Sequence, residues 1–246
     1  MEQVIFKDLG VADYQLVWDY QQGLLDELVQ RKRGNRGLTE NDPNWVNRHH
    51  YLLFCAHSPV YTLGKSGKES HLLLNESGLE TEGVQFYKIN RGGDITFHGP
   101  GQVVGYPIFD LDGFFTDVHK YVRFLEEVII RTLADYGLAA TRIEGYTGVW
   151  LPGNEVLPKR KICAIGVHLS RWVTMHGFAL NVNTDLAYFR HIVPCGIQEA
   201  DKDVTSMQVE LRKPIDELEV KARLKYHFKD LFGFEFSPQE APVLSN

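Results

Sequence analysis

Three cysteines in 246 residues, Cys55, Cys163 and Cys195, form no CxxC pair and are odd in number. That excludes a disulfide framework and a zinc ribbon, and leaves room for one working thiol. HExxH and carboxylate-rich loops are absent and the histidines are scattered, so no metal is expected. No apolar run approaches the roughly 18 residues of a membrane span, and the opening MEQVIFKDLG lacks the basic and apolar segments of a secretory signal. A cytoplasmic protein without membrane contact is expected. Cations are in deficit, 26 Lys and Arg against 32 Asp and Glu, for a net charge of -6. Global attraction to nucleic acid or an anionic membrane is therefore not expected. Repeats, low-complexity segments and linkers are also missing, which points to a single domain over 1–246.

Two nucleophile or nucleotide motifs fail as well. Gly64-Lys65-Ser66 ends like a phosphate loop, but Pro59 stands where the first glycine is required. A papain-like hydrolase needs a CGxCW run and a histidine well after its cysteine; only His227 follows Cys195.

What is present is ordinary for a globular chain, with 43% hydrophobic and 24% charged residues. Periodicity predicts helices over about Val11–Val29 (Leu16, Tyr20, Leu24, Leu25 and Leu28 inward), Asp117–Tyr136, and Pro214–Phe232 with Leu218, Leu224, Phe228 and Leu231 inward. Strands are expected at Val4–Phe6, His50–Cys55, Val84–Asn90, Gln102–Phe109, Ala140–Ile143 and Gly148–Leu151. A hairpin of Lys161–Ser170 and Trp172–Asn183 follows, with a short helix at Leu186–His191.

Chemistry-bearing residues gather in three places. Arg91-Gly92-Gly93-Asp94-Ile95-Thr96-Phe97-His98-Gly99-Pro100-Gly101 reads as a Gly-rich loop between strands, where backbone amides can approach a ligand beside a cation and a proton donor. Cys195 lies between Pro194 and Gly196, a frame that exposes the sulfur. Lys161 could stabilise a thiolate and move protons, unless Lys159-Arg160-Lys161 is only a solvated basic turn. Strand alternation would put Lys161, Cys163 and Ile165 on one face, so Cys163 is a second candidate thiol.

These segments carry a resemblance. The chain resembles octanoyl-[acyl-carrier-protein]:protein N-octanoyltransferases, or lipoyl(octanoyl) transferases, through Arg91 to His98 with the following Gly-Pro-Gly-Gln, Lys161 to Gly166 with His176-Gly177-Phe178-Ala179-Leu180-Asn181, and Pro194-Cys195-Gly196. The matching core spans about 51–209. The resemblance implies an α/β (α+β) fold, a mixed, largely antiparallel sheet flanked by helices as in biotin and lipoate ligase catalytic domains. It implies that Cys195 takes octanoyl as a thioester from acyl carrier protein and yields it to a lysine amine, with Lys161 as its partner. Arg91, Gly92, Gly93, Asp94, Ile95, Thr96, Phe97, His98, Ala164, Ile165, Gly166, Gly177, Phe178 and Ala179 would bind substrate. Receivers would be lipoyl domains of 2-oxoacid dehydrogenase complexes and the glycine cleavage H protein, and no cofactor beyond the carrier's phosphopantetheine is implied. Asp94 departs from the neutral polar residue, such as Gln, expected there.

The rival reading is an ATP-dependent lipoate or biotin protein ligase of the same fold, which needs a nucleotide site and no thiol. A third is a non-catalytic module that only binds an acyl carrier. An acidic protein that meets an acidic carrier needs a local positive patch; Arg31-Lys32-Arg33-Arg36 and Lys159-Arg160 are candidates.

Overall fold

The strands His50–His57, Gln102–Ile108 and Val173–Asn181 are buried at every residue. Near-continuous apolar runs of this kind need cover on both faces, and helices supply it. In chain order the elements of this computed structural model, which describes residues 1–193 and 202–238, are β1 (Gln3–Ala12), α1 (Tyr14–Gly34), β2 (His50–His57), β3 (Val60–Leu63), α2 (Glu76–Glu82), β4 (Gln85–Lys88), β5 (Ile95–His98) and β6 (Gln102–Ile108). They continue as α3 (Val118–Asp135), β7 (Thr141–Ile143), β8 (Tyr146–Leu151), β9 (Lys159–Ser170), β10 (Val173–Asn181), β11 (Lys202–Val204), α4 (Met207–Leu211), α5 (Glu217–Phe232) and β12 (Glu235–Phe236).

Among the described residues the main sheet is nine-stranded, in the order β12-β1-β2-β6-β10-β9-β8-β7, with β11 beside β9. The pairs β1–β12, β1–β2 and β9–β11 are parallel and the others antiparallel, the expected mixed sheet. One face packs Leu52, Phe54, Phe178 and Leu180 against α3 and α5. The other packs Leu53, Val104, Met175 and Ala179 against α1. A smaller sheet, β4-β3-β5, stands apart.

Two helices sit differently from their apolar pattern. α1 begins only after Asp13, whose carboxylate accepts the Leu16 N–H at 3.1 Å. Its inward face then runs through Tyr14, Val17, Gln21, Leu24, Leu25 and Leu28, leaving Leu16 and Tyr20 half-buried. Gln21 is fully buried because its side-chain oxygen accepts the His176 N–H at 3.0 Å. A polar residue with a distant partner gives no hydrophobic signal. α5 starts at Glu217 behind its cap Asp216, so Leu218 falls in the first turn at 71% exposure instead of inside. Ile95–His98, read as loop, is a strand that pairs antiparallel with β3.

Candidate active site

β9 and β10 form the expected hairpin, and β9 carries an irregularity that sequence alternation could not show. Val149 of β8 pairs with Cys163, but the next residue, Trp150, pairs with Lys161. Ile162 is thus an extra residue on β9, a β-bulge. Ile162 and Cys163 are both fully buried in the cluster under α3 and α5, whereas Lys161, Ala164 and Gly166 line a cavity. The expectation that Lys161 and Cys163 share a face is therefore corrected. Burial pushes the Cys163 thiol well above its ordinary pKa, the opposite of an activated nucleophile. Cys55, fully buried and likewise pushed up by burial, is core as well.

Lys161 stands over the indole of its cross-strand partner, with Nζ 4.6 Å from the Trp150 ring centroid. Trp150 is fully buried and meets Tyr146 edge-on at 6.0 Å; the Lys202 ammonium lies 4.8 Å from the Tyr146 ring centroid. Aromatic faces of this kind attract an ammonium without neutralising it.

The Arg91 loop forms the opposite wall. Gly92 donates to the Val167 carbonyl at 2.9 Å, and a Cβ on Gly166 would come within 2.7 Å of the Gly92 carbonyl oxygen. A Cβ on Gly177 would strike the Gly105 carbonyl of β6 at 2.2 Å. Both glycines border the cavity, yet what demands them is close backbone approach. The Gly64-Lys65-Ser66 run serves the same loop: its three N–H groups go to the carbonyls of Asp94, Arg91 and Gly93 at 3.2, 2.9 and 3.1 Å. Those amides are committed to protein and do not cradle phosphate. Asp94 also acquires a partner, because His71 Nδ1 lies 2.5 Å from its Oδ2 while its Oδ1 accepts the Ile95 N–H at 2.7 Å.

A buried polar chain links the two walls. The Gln102 side-chain amide donates to the Phe97 carbonyl at 3.2 Å and to Asn181 Oδ1 at 2.9 Å, so its oxygen accepts from His98 Nδ1 at 2.9 Å. His98 Nε2 then accepts from the Thr62 hydroxyl at 3.3 Å, whose oxygen takes a hydrogen bond from Arg91 at 2.9 Å. At the other end Asn181 donates to the Thr205 carbonyl at 3.0 Å, and Thr205 donates its N–H to the Lys161 carbonyl at 2.9 Å. With Nδ1 donating and Nε2 accepting, His98 is the neutral tautomer.

Electrostatics agree. Burial, then His57 and Arg91, hold His98 well below its ordinary range. Burial alone drives His57 down to about 4, where Nδ1 donates to the Ala12 carbonyl at 2.9 Å and Nε2 faces the Tyr106 hydroxyl at 2.8 Å. His176 falls to about 3 through burial and Arg91. It adopts φ 60°, a left-handed conformation that costs a non-glycine residue about 1 kcal/mol, and its Nε2 bonds Asn90 Oδ1 at 2.7 Å.

The resulting cavity holds about 200 Å³, more than the ~150 Å³ of a dry cavity that accepts benzene. It brings together Arg91, Gly93, Asp94, Ile95, Thr96, His98, Lys161, Ala164, Ile165, Gly166, Gly177, Phe178 and Ala179. Gly92 stays at the loop–strand junction. Phe97 turns away, stacked on Tyr188 with centroids 4.5 Å apart in a separate cluster. Cys195 lies outside the described residues. The described chain stops at Val193, whose N–H donates to the His71 carbonyl at 2.8 Å, and resumes in β11, where Val204 pairs with Lys161. Tyr14, Tyr106, Gln102, Asn181 and His176 also line the cavity. Gln102, Asn181 and His176 stand inside the motifs that carry the resemblance, which was the available signal; Tyr14 and Tyr106 offered none. No group of ligand-type side chains able to hold a metal occurs among the described residues, nor any helix long and apolar enough to cross a membrane.

The lipoyl protein ligase A/B catalytic-domain profile matches residues 13–229. The chain is 54% identical over 231 residues to the octanoyltransferase of Cytophaga hutchinsonii, covering 94% of this chain and 93% of that one. It is 57% identical over 229 residues to the octanoyltransferase of Flavobacterium psychrophilum, covering 92% and 95%. Among solved structures it superposes on a bi-partite lipoate protein ligase from Thermoplasma acidophilum with a TM-score of 0.71 at 15% identity, over 99% of this chain and 89% of that one. A lipoate-protein ligase A bound with ATP gives 0.67 at 16% identity, over 99% and 91%. These structures share the fold.

Proposed function

The chain belongs to the lipoyl protein ligase A/B catalytic-domain family, and from that premise we propose that it is a single-domain cytoplasmic octanoyltransferase working through a Cys195 thioester. The donor is octanoyl on the phosphopantetheine of acyl carrier protein; the receivers are lysines of lipoyl domains in 2-oxoacid dehydrogenase complexes and of the glycine cleavage H protein. No further cofactor takes part. The observation that carries the reading is the Lys161 ammonium at the wall of the cavity, with Val204 after the Cys195 segment paired to Lys161 and Val193 before it bonded to His71, the partner of the cavity residue Asp94.

In the first step the Cys195 thiolate attacks the donor carbonyl, the carbon–sulfur bond to pantetheine breaks, and the leaving thiolate takes a proton from Lys161. In the second the acceptor amine attacks the enzyme thioester, its extra proton passes to Lys161, and Cys195 leaves as thiolate. Donor and intermediate are both thioesters, so the first step is nearly thermoneutral and depends on positioning. The Arg91 loop, held by Gly92, Gly64 and the His98–Gln102–Asn181 chain, does that positioning. Ile165, Phe178 and Ala179 offer apolar wall to the chain, at about 0.8 kcal/mol for each methylene buried.

The test supplies purified protein with octanoyl-carrier and a lipoyl domain, without ATP. The domain should gain one octanoyl group. Modification that occurs only with free octanoate and ATP would establish the ligase reading instead, and binding of the carrier with no transfer would reduce the protein to an acyl-carrier-binding module.

A further inference from the structure

Beyond the cavity mouth a groove of about 990 Å³ runs between the 3-10 helix Leu186–His191 and α4. Phe189 and Val204 line both spaces, so the groove leads into the cavity. We propose that this groove is the docking surface for the octanoyl donor, receiving the anionic phosphopantetheine arm and an acidic flank of its carrier. The proposal rests on the transfer reading above.

Charge is the first support. Arg190, Arg212 and Lys213 line the groove, are exposed, and form no ion pair among the described residues. The basic clusters that the sequence offered are largely committed elsewhere. Arg31 pairs with Glu27 at 2.6 Å, Lys32 with Asp110 and Asp112 at 2.9 and 2.6 Å, and Arg160 with Glu210 at 2.7 Å. On a chain of net charge -6 an anionic partner is repelled by the protein as a whole and needs such a local exception. Two carboxylates also border the groove, and each accepts a backbone N–H: Asp185 from Ala187 at 2.9 Å, Asp203 from Val204 at 2.7 Å.

Backbone conformation is the second. Arg212 caps α4 at φ 55°, where glycine is the residue of least strain. An arginine held there at a cost points to use of its side chain. Val209, 56% exposed on the same helix, adds an apolar surface beside the cations.

The choice of donor over acceptor follows from the reacting arms. The acceptor presents a lysine, which the groove's arginines repel, whereas the donor's arm carries a phosphodiester that they attract.

The experiment compares wild type with Arg212→Glu/Lys213→Glu on three half-reactions. Acylation of the enzyme by octanoyl-carrier should lose about 10- to 100-fold in kcat/KM at low salt, and the loss should shrink as salt approaches about 1 M. Acylation by the octanoyl thioester of N-acetylcysteamine, which has neither phosphate nor carrier, should keep its rate and so certifies the fold. Transfer from acylated enzyme to the lipoyl domain should also be unchanged. An unaltered carrier reaction overturns the proposal, as does equal loss with the small thioester or a loss confined to transfer, which would assign the groove to the acceptor. Wild type that accepts octanoyl from neither donor defeats the transfer reading itself, an outcome distinct from the others.

Discussion

Lys161 and Cys163 are two residues apart on one strand and meet different surroundings. Lys161 faces the cavity over an aromatic plane, while Cys163 is sealed under α3 and α5 with its thiol made harder to ionise. The extra residue Ile162 separates them. One inserted residue turns a strand whose simple alternation would align an amine and a thiol into one that sends the amine to the cavity and the thiol to the core. The lesson is that a thiol two residues from a cavity-facing amine need not share its surroundings.

The sharpest break in that comparison is a pair of substitutions. Lys161→Ala should lower octanoyl transfer about 100- to 10,000-fold, the range for loss of a proton-transfer group, whereas Cys163→Ser should stay within a few-fold of wild type. Rates from a mass-based transfer assay decide it, and equal losses would erase the distinction between faces.

Backbone approach on the cavity side gives the next effect. Gly177→Ala drives a Cβ into the β6 carbonyl and should destabilise the protein by about 1–3 kcal/mol, the range for overpacking. A urea midpoint within error of wild type would show that the two strands yield freely.

pH separates the faces by stability. His57 and His176 have folded-state values near 4 and 3, and His98 is also lowered, against about 6.5 in an unfolded chain. Between those values the unfolded state binds more protons, so stability is complete above about pH 6.5 and falls as pH drops toward 4. These histidines border or underlie the cavity, so acid should loosen that side first. Hydrogen exchange at pH 7 and pH 5 should show faster opening at His98 and His176 than at Cys163; uniform exchange would contradict this.

The smallest expected effect concerns the aromatic support. Trp150→Leu removes a cation–π contact of about 0.5–2 kcal/mol, hence about 2- to 30-fold in acylation rate, and Trp150→Phe should recover most of it. Equal loss in both would show that packing alone is at stake.

Much of this arrangement was legible in sequence because it repeats at short range. The β9–β10 hairpin, α3 and the Gly-rich segment announce themselves through apolar runs, a 3.6-residue stripe and clustered glycines. Long-range polar partners do not. Gln21 reaches His176, Asp94 takes up His71 where a neutral residue was expected, and His98 is tied through Gln102 to Asn181. Local patterns carry no trace of such pairs. The bulge at Ile162 was illegible for the same reason, since it is a property of how β8 and β9 pair. Phe97, included by its place in a motif, is instead taken up by the aromatic cluster of Tyr61, Tyr188 and Phe189, partners far from it in sequence.

The central claim is that the acyl group rests on Cys195 and never on Cys163. Incubation with octanoyl-carrier, quenching in acid and peptide mapping by mass spectrometry tests it directly. The account predicts one octanoyl group, as a hydroxylamine-labile thioester, on the peptide that contains Cys195, lost in Cys195→Ser and retained in Cys163→Ser. Octanoyl on the Cys163 peptide, or an adduct that survives Cys195→Ser, would contradict it.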